Sequence, residues 1–249
     1  MEVNSITFDG VNSLDYGLYV SGNATFSSAE KDYKKVSVPG RNGDLLISNN
    51  RYKNVNVQYP AVVFRDLEEN VMHIRNWLMS TNGYCRLEDT YHPDEFRLAT
   101  FSGPVDFATA LFEVGSTTLT FDCKPQRWLK SGERKHIFTD NTGKLFNPTN
   151  FPSKPLIRAY PSDNMAAGLT ANLQVGTYNI NIKMPNEKFE YVDIDCDLMD
   201  CYTGLINQNG LMTVTRWGAL TPGWNGVVFT QAINGGFSKV EIIPRWWML

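Results

Sequence analysis

The chain has 249 residues, a length that suits one large domain or two of ordinary size. Hydrophobic residues make up 42%, charged residues 20% and aromatic residues 12%, the balance of a globular protein rich in strands or in interfaces. The formal charge is -3, with 13 Lys+Arg against 16 Asp+Glu in residues 1–130 and 10 against 10 in the remainder; neither part has the basic excess that stable nucleic-acid binding or an anionic membrane surface requires.

The opening MEVNSITFDGVNS has no basic n-region and no apolar h-region, so no secretion signal is expected, and no run of about 18 apolar residues suggests a membrane span. Short strands are expected at Ser5 to Phe8 and Tyr16 to Val20, separated by a turn at Asp9-Gly10. Another strand, Lys35 to Val38, enters Pro39-Gly40-Arg41-Asn42-Gly43-Asp44, a Pro-Gly turn followed by an Asn-Gly turn. Leu45 to Ser48 returns from it. Val55 to Phe64 alternates with Val55, Val57, Tyr59, Ala61 and Phe64 as its apolar set, and Pro60 marks an edge or a bend.

The spacing of Leu67, Val71, Ile74 and Leu78 predicts a helix over about 64–81. Glu68 and Glu69 suit its first turn, Arg75 its last, and Gly83 offers a left-handed cap. Residues 82–131 then alternate strands with turns, with strands near Tyr84 to Leu87, Glu95 to Phe101, Val105 to Ala108 and Ser116 to Cys123. Their polar residues fall in the turns and do not converge on a reacting centre. Residues 133–154 are rich in Asn, Thr, Lys, Gly and Pro and read as a linker. Strands spaced by turn residues are expected to the end: Leu156 to Tyr160, Thr170 to Leu173, Gly176 to Ile182, Tyr191 to Asp195, Met212 to Arg216, Val227 to Thr230 and Lys239 to Pro244. The fold class is therefore mainly β, with α+β character in the first half: a β-rich, sandwich-like domain with one helix over residues 1–132, a boundary over 133–154, and a β-sandwich over 155–249.

Candidate chemistry is sparse. Glu88, Asp89, His92, Asp94 and Glu95 form the densest polar cluster, but they share one turn fixed by Pro93; hydrogen bonds of the turn, strand capping or an interface contact are expected there. Asp193, Asp195 and Asp197 resemble the start of a calcium loop, yet Leu198 and Gly204 stand where such a loop needs Gly and Glu. Alternation with Val192, Ile194 and Cys196 makes the acids the wet face of a strand. Trp217 and Trp224 flank a loop-like stretch and are expected to pack, although an exposed tryptophan stacks well on a sugar. His73, His92 and His136 are isolated from one another. Cys85, Cys123, Cys196 and Cys201 form no C-x-x-C pair and read as reduced, mostly buried thiols. No P-loop, dinucleotide fingerprint or nucleophile elbow occurs. No catalytic residue, metal or cofactor is expected, and the protein is not read as an enzyme.

Four stretches resemble the distal tail (Dit) family of long-tailed, non-contractile bacteriophages: SITFDGVNSLDYGLYVSG, KVSVPGRNGDLL, GYCRLEDTYHPDEFRLATFSGPVDF and TLTFDCKPQRWLKSGE. NPTNFPSKPLIRAY resembles the family's entry into its second domain. The resemblance is close over the first half and looser over the second. It implies a tail-tip or baseplate hub: a hexameric ring made by the first domain, with a galectin-like sandwich projecting from it. It also implies the tail tube protein, the tail-associated tip protein and, in many phages, receptor-binding proteins as partners. The location it implies is the virion tail tip, after synthesis in the host cytoplasm, with DNA passing through the ring and no membrane contact. KVSVPGRNGDLL is the candidate arm for ring closure, with Val38, Pro39, Arg41, Asn42 and Asp44 as interface residues. The rival reading is a carbohydrate-binding module that recognises host cell-wall saccharide through the C-terminal sandwich. A glycan hydrolase is a third.

Overall fold

The computed structural model describes residues 3–21, 27–101, 103–111, 114–214 and 216–249. The chain divides into two compact units between Arg127 and Trp128.

The first unit contains β1 (Ile6–Phe8), β2 (Val11–Asn12), β3 (Leu18–Val20), β4 (Lys31–Val36), β5 (Leu45–Tyr52), β6 (Val55–Phe64), α1 (Leu67–Ser80), β7 (Cys85–Asp89), β8 (Glu95–Phe101) and β9 (Ala108–Leu111), and β10 (Val114–Leu129) begins in it. Its main sheet runs β2-β1-β7-β8-β10-β6-β3, with β9 beside β10. The spine is the antiparallel pair β6–β10, in register from Phe64 opposite Val114 to Val55 opposite Cys123. Period-two alternation turns Val55, Val57, Tyr59, Ala61 and Val63 inward and leaves Phe64 outside. Pro60 does not end this strand; it sits at a local edge, where the ladder with β3 has stopped at Ala61. A residue's N and C=O face the same side in an antiparallel ladder. The Pro60 carbonyl accepts from the Ser21 amide (2.7 Å), so its donorless nitrogen faces the end of β3 rather than β10.

Phe121 of β10 is the centre of the core, with edge-on contacts to Phe8, Phe101 and Tyr59 at centroid distances of 5.1, 5.3 and 5.9 Å. Helix α1 buries Ile74, Trp77 and Leu78 in the same cluster. The Trp77 indole also donates to the Phe8 carbonyl (3.0 Å). The helix stops without a glycine cap. Thr81 is extended, and the hydroxyls of Ser80 and Thr81 donate to the carbonyls of Trp77 and Leu78. Gly83, at φ 77°, serves the turn that follows.

The second unit is a β-sandwich. It contains β11 (His136–Phe138), β12 (Thr142–Asn147), β13 (Leu156–Pro161), β14 (Thr170–Val175), β15 (Tyr178–Lys183), β16 (Val192–Asp195), β17 (Asp200–Thr203), β18 (Ile206–Asn207), β19 (Met212–Val214), β20 (Gly223–Phe229) and β21 (Phe237–Ile243). One sheet runs β11-β21-β13-β16-β17-β18 and the other β12-β20-β14-β15-β19. Ile157, Ile194 and Ile242 of the first meet Leu173, Ile180 and Val227 of the second in one core cluster.

Residues 133–154, expected as a linker, carry β11 and β12 of this sandwich. The turn-like composition of NPTNFPS has another cause. The buried Asn147 amide donates to the carbonyls of Phe151 (2.9 Å) and Leu220 (3.0 Å), and its oxygen accepts from the Thr149 amide and hydroxyl. One side chain thus satisfies the backbone of an irregular segment inside the domain. Among the described residues, no helix is long and apolar enough to cross a membrane.

Candidate assembly surface

Strands β4 and β5 form a two-stranded sheet of their own, outside the main sheet. Val36 faces Leu45, Lys35 faces Leu46, Lys34 faces Ile47 and Tyr33 faces Ser48. The strand before the tip is Lys31–Val36, earlier than the sequence suggests. The run Lys-Asp-Tyr-Lys-Lys looks like a solvated loop until β5 supplies its ladder, and Val38-Pro39 belongs to the tip because proline cannot donate to one.

The tip is a type II turn followed by an open bend. The Arg41 amide donates to the Val38 carbonyl (3.2 Å) around Pro39 and Gly40, whose φ of 77° requires the glycine. Gly43 is also left-handed, at 79°. At the base, Arg51 donates to Asp32 (2.7 Å), and the Lys53 amide donates to the Glu30 carbonyl (2.8 Å). The Arg51 hydrogen bond is the main reason the Asp32 carboxyl sits below the ordinary carboxylate range.

Val38, Pro39, Arg41, Asn42 and Asp44 are brought together at this tip, and all are exposed. Sequence reasoning missed the apolar side chains behind them. Tyr33, Leu45, Leu46 and Ile47 are exposed, Leu46 by 57%. Alternation puts Leu46 on one face of the hairpin and Leu45 and Ile47 on the other, so neither face is a core face. The signal was present in Leu45-Leu46-Ile47, a run with no polar alternation beside a strong turn.

The other sequence candidates have structural duties. Asp89 accepts from the Tyr59 hydroxyl (2.7 Å) and the His92 amide (2.8 Å), and it lies 3.0 Å from His92 Nδ1. Glu95 pairs with Arg127, and Glu88 with Arg86. No group of side chains suited to a metal ion occurs among the described residues.

Asp193 and Asp195 are not a wet face; both are buried. Arg158 grips Asp193 through two bonds of 2.7 Å, and Arg245 grips Asp195 through two of 2.8 Å. Burial raises the Asp195 pKa, but Arg245 and the Leu198 and Asp197 amides outweigh it and leave it lowered. Glu241 lies between Lys135 and Lys239, each 2.8 Å away; these cations overcome burial and bring it down to about 2. The thiols are free, and burial pushes those of Cys123, Cys196 and Cys201 up to about 12, which makes them unreactive. Trp217 packs partly against the core, whereas Trp224 sits on β20 and is 70% exposed.

A helix-bearing sheet unit with a free hairpin, followed by a β-sandwich, defines a two-unit, mainly β protein. No protein-family model matches the chain, and no curated protein does. Among solved structures, it has the fold of the Dit protein of phage SPP1, with a TM-score of 0.77, 16% sequence identity and 100% of both chains covered. That protein is described as a paradigm of the hub adsorption apparatus in phages infecting Gram-positive bacteria.

Proposed function

We propose that this protein is a structural hub of a bacteriophage tail tip. Six copies form a ring that joins the tail tube to the tip protein and the adsorption apparatus. The observation that carries this reading is the β4–β5 arm, a hairpin with apolar side chains on both faces and no core of its own. The likeness to the SPP1 protein supports it.

A closed ring needs a head-to-tail interface in which one surface of a copy meets a different surface of the next. The arm supplies the first surface. Residues 27–53 hold six Lys+Arg against three Asp+Glu, whereas the rest of residues 1–130 holds seven against 13. A basic arm is thus matched to the acidic body of another copy, which favours the arm reaching outward over its folding against nothing. Within the tip, Pro39 and Gly40 fix the shape, Val38 supplies apolar contact, Arg41 offers a planar fork to a carboxylate or to carbonyls, and Asn42 and Asp44 exchange hydrogen bonds. The protein works by presenting surfaces rather than by chemistry. A ring lumen without a basic excess lets DNA pass unheld. Receptor-binding proteins are the partners expected on the outer side.

The test is the mass of the full chain by light scattering, alone at high concentration and with the tail tube protein. Six copies of the 28.2 kDa chain are expected. Replacing residues 38–44 by a Gly-Ser loop should return the particle to one copy. A parent chain that stays single under both conditions, together with virions whose tail tip takes no labelled antibody, would overturn the reading.

A further inference from the structure

The first unit carries an arginine at a core position. On β8, Arg97 lies opposite Leu87 and two residues before Ala99, both buried, so alternation turns it to the inner face of the sheet. It stands where the apolar core gives way to a polar end. Two narrow clefts meet there, and Tyr59, Asp89, His92 and Arg97 line both. Burial, with the Arg127 charge nearby, lowers the Arg97 pKa, yet a guanidinium stays charged at any physiological pH.

The carboxylates around it are committed to other donors. Asp89 receives the His92 amide on one oxygen and the Tyr59 hydroxyl on the other, and Glu95 pairs with Arg127. No described residue accepts a hydrogen bond from Arg97 or forms an ion pair with it. Elsewhere in the body of this unit, Arg75 donates to the Val105 carbonyl and Arg86 pairs with Glu88. Arg65 also lacks an acceptor among the described residues, but it is exposed and water serves it. Arg97 is half-buried, and a charge withdrawn from water without a partner costs stability until an anion meets it.

Each cleft has a volume of about 10 Å³, room for one water molecule. That is too small for a free metabolite and suits the end of a side chain. The arm offers one. Of the three acids in residues 27–53, Glu30 pairs with Lys53 and Asp32 with Arg51. Asp44 is exposed at the tip, and no described residue binds its side chain. β5 sets the tip about 23 Å from the base of the hairpin at the usual rise of a strand, far enough to reach a neighbouring molecule. Resting on the ring reading, we propose that Arg97 is the socket for the arm of the next copy and that the Asp44 carboxylate of that arm pairs with it. The basic arm is drawn to the acidic body as a whole. This one reversed pair fixes where the arm stops, because its lysines and Arg41 repel Arg97.

The experiment is light scattering over a concentration series of the full chain, alone and with the tail tube protein, for the parent, Asp44→Asn, Arg97→Gln and the double variant. Each single change should weaken association roughly tenfold or more, and the double change should lose little beyond the worse of the two. Asp44→Glu should keep part of the association. Asp44 is exposed, so its variants should melt with the parent. If Arg97→Gln melts early, Arg97→Lys, which keeps the charge and loses the planar fork, takes its place and should fall between the parent and Asp44→Asn. A parent that associates while Asp44→Asn or a folded Arg97 variant associates equally well overturns the pairing and leaves the ring standing. Two losses that simply add do the same. A parent that stays single under both conditions overturns the ring reading and the pairing with it.

Discussion

The pairs β6–β10 and β4–β5 use the same backbone chemistry toward opposite ends. Each is an antiparallel ladder of extended strands. β6 buries every second side chain in the core, whereas β5 buries none. Ladder hydrogen bonds contribute little net stability because water offers the same bonds to the open strand, and a lone hairpin is marginal. The first pair is held by what it covers. The second leaves Leu45, Leu46 and Ile47 in water, and only another surface can recover that loss. Ion pairs divide in the same way. Arg51–Asp32 stands on the exposed arm, while Arg245–Asp195 closes over a buried carboxylate.

The comparison breaks most visibly at Phe121. Phe121→Ala empties the middle of four aromatic rings and should cost about 3–5 kcal/mol in urea unfolding. Asp195→Ala follows. It removes a buried acceptor that Arg245 and two backbone amides share, and a loss of about 3 kcal/mol is expected. Asp32→Ala, the same change on the arm, should leave the urea midpoint close to that of the parent. Equal effects at the two positions would refute the distinction between covered and uncovered pairs.

Acid should act on the second unit in a graded way. The Glu241 carboxyl is about 2 in the folded chain against an ordinary 4.5, and Asp195 is also lowered. A lowered carboxylate contributes stability that is complete above its unfolded value and is lost as pH falls through the folded one. The urea midpoint should therefore hold above about pH 4.5 and decline toward pH 2. Glu241→Gln should flatten that decline; an unaltered slope would locate the acid sensitivity elsewhere.

What the sequence made legible was local. Alternation exposed β6, Pro-Gly and Asn-Gly exposed the arm tip, and the four-three-four spacing exposed α1. Trp77 was passed over because that spacing followed aliphatic residues alone, although its place beside Leu78 widens the same stripe. The non-local half could not be read in this way. Period two gave Asp193 and Asp195 a common face but could not say what covers it, since Arg158 and Arg245 lie 35 and 50 residues away in sequence. Asn147 made a sandwich segment look like a linker because the Leu220 carbonyl it holds is 73 residues distant. The apolar run after the tip was legible as strand, but its exposure on both faces follows from the absence of β4 and β5 from the main sheet.

The smallest expected change in stability carries the most information about assembly. Leu46→Ser with Ile47→Ser alters one side chain on each face of the arm and touches no core cluster. The unfolding free energy of the single copy should move by no more than about 0.5 kcal/mol, because these side chains are already in water. Association should be lost, because in a ring they are the surfaces removed from water. Urea unfolding at low concentration and light scattering at high concentration separate the two effects on one sample. A variant that associates like the parent would mean that the exposed leucine and isoleucine contribute nothing to the contact. One that unfolds far more readily would mean that they are covered within the single chain, and the contrast between the two ladders would disappear.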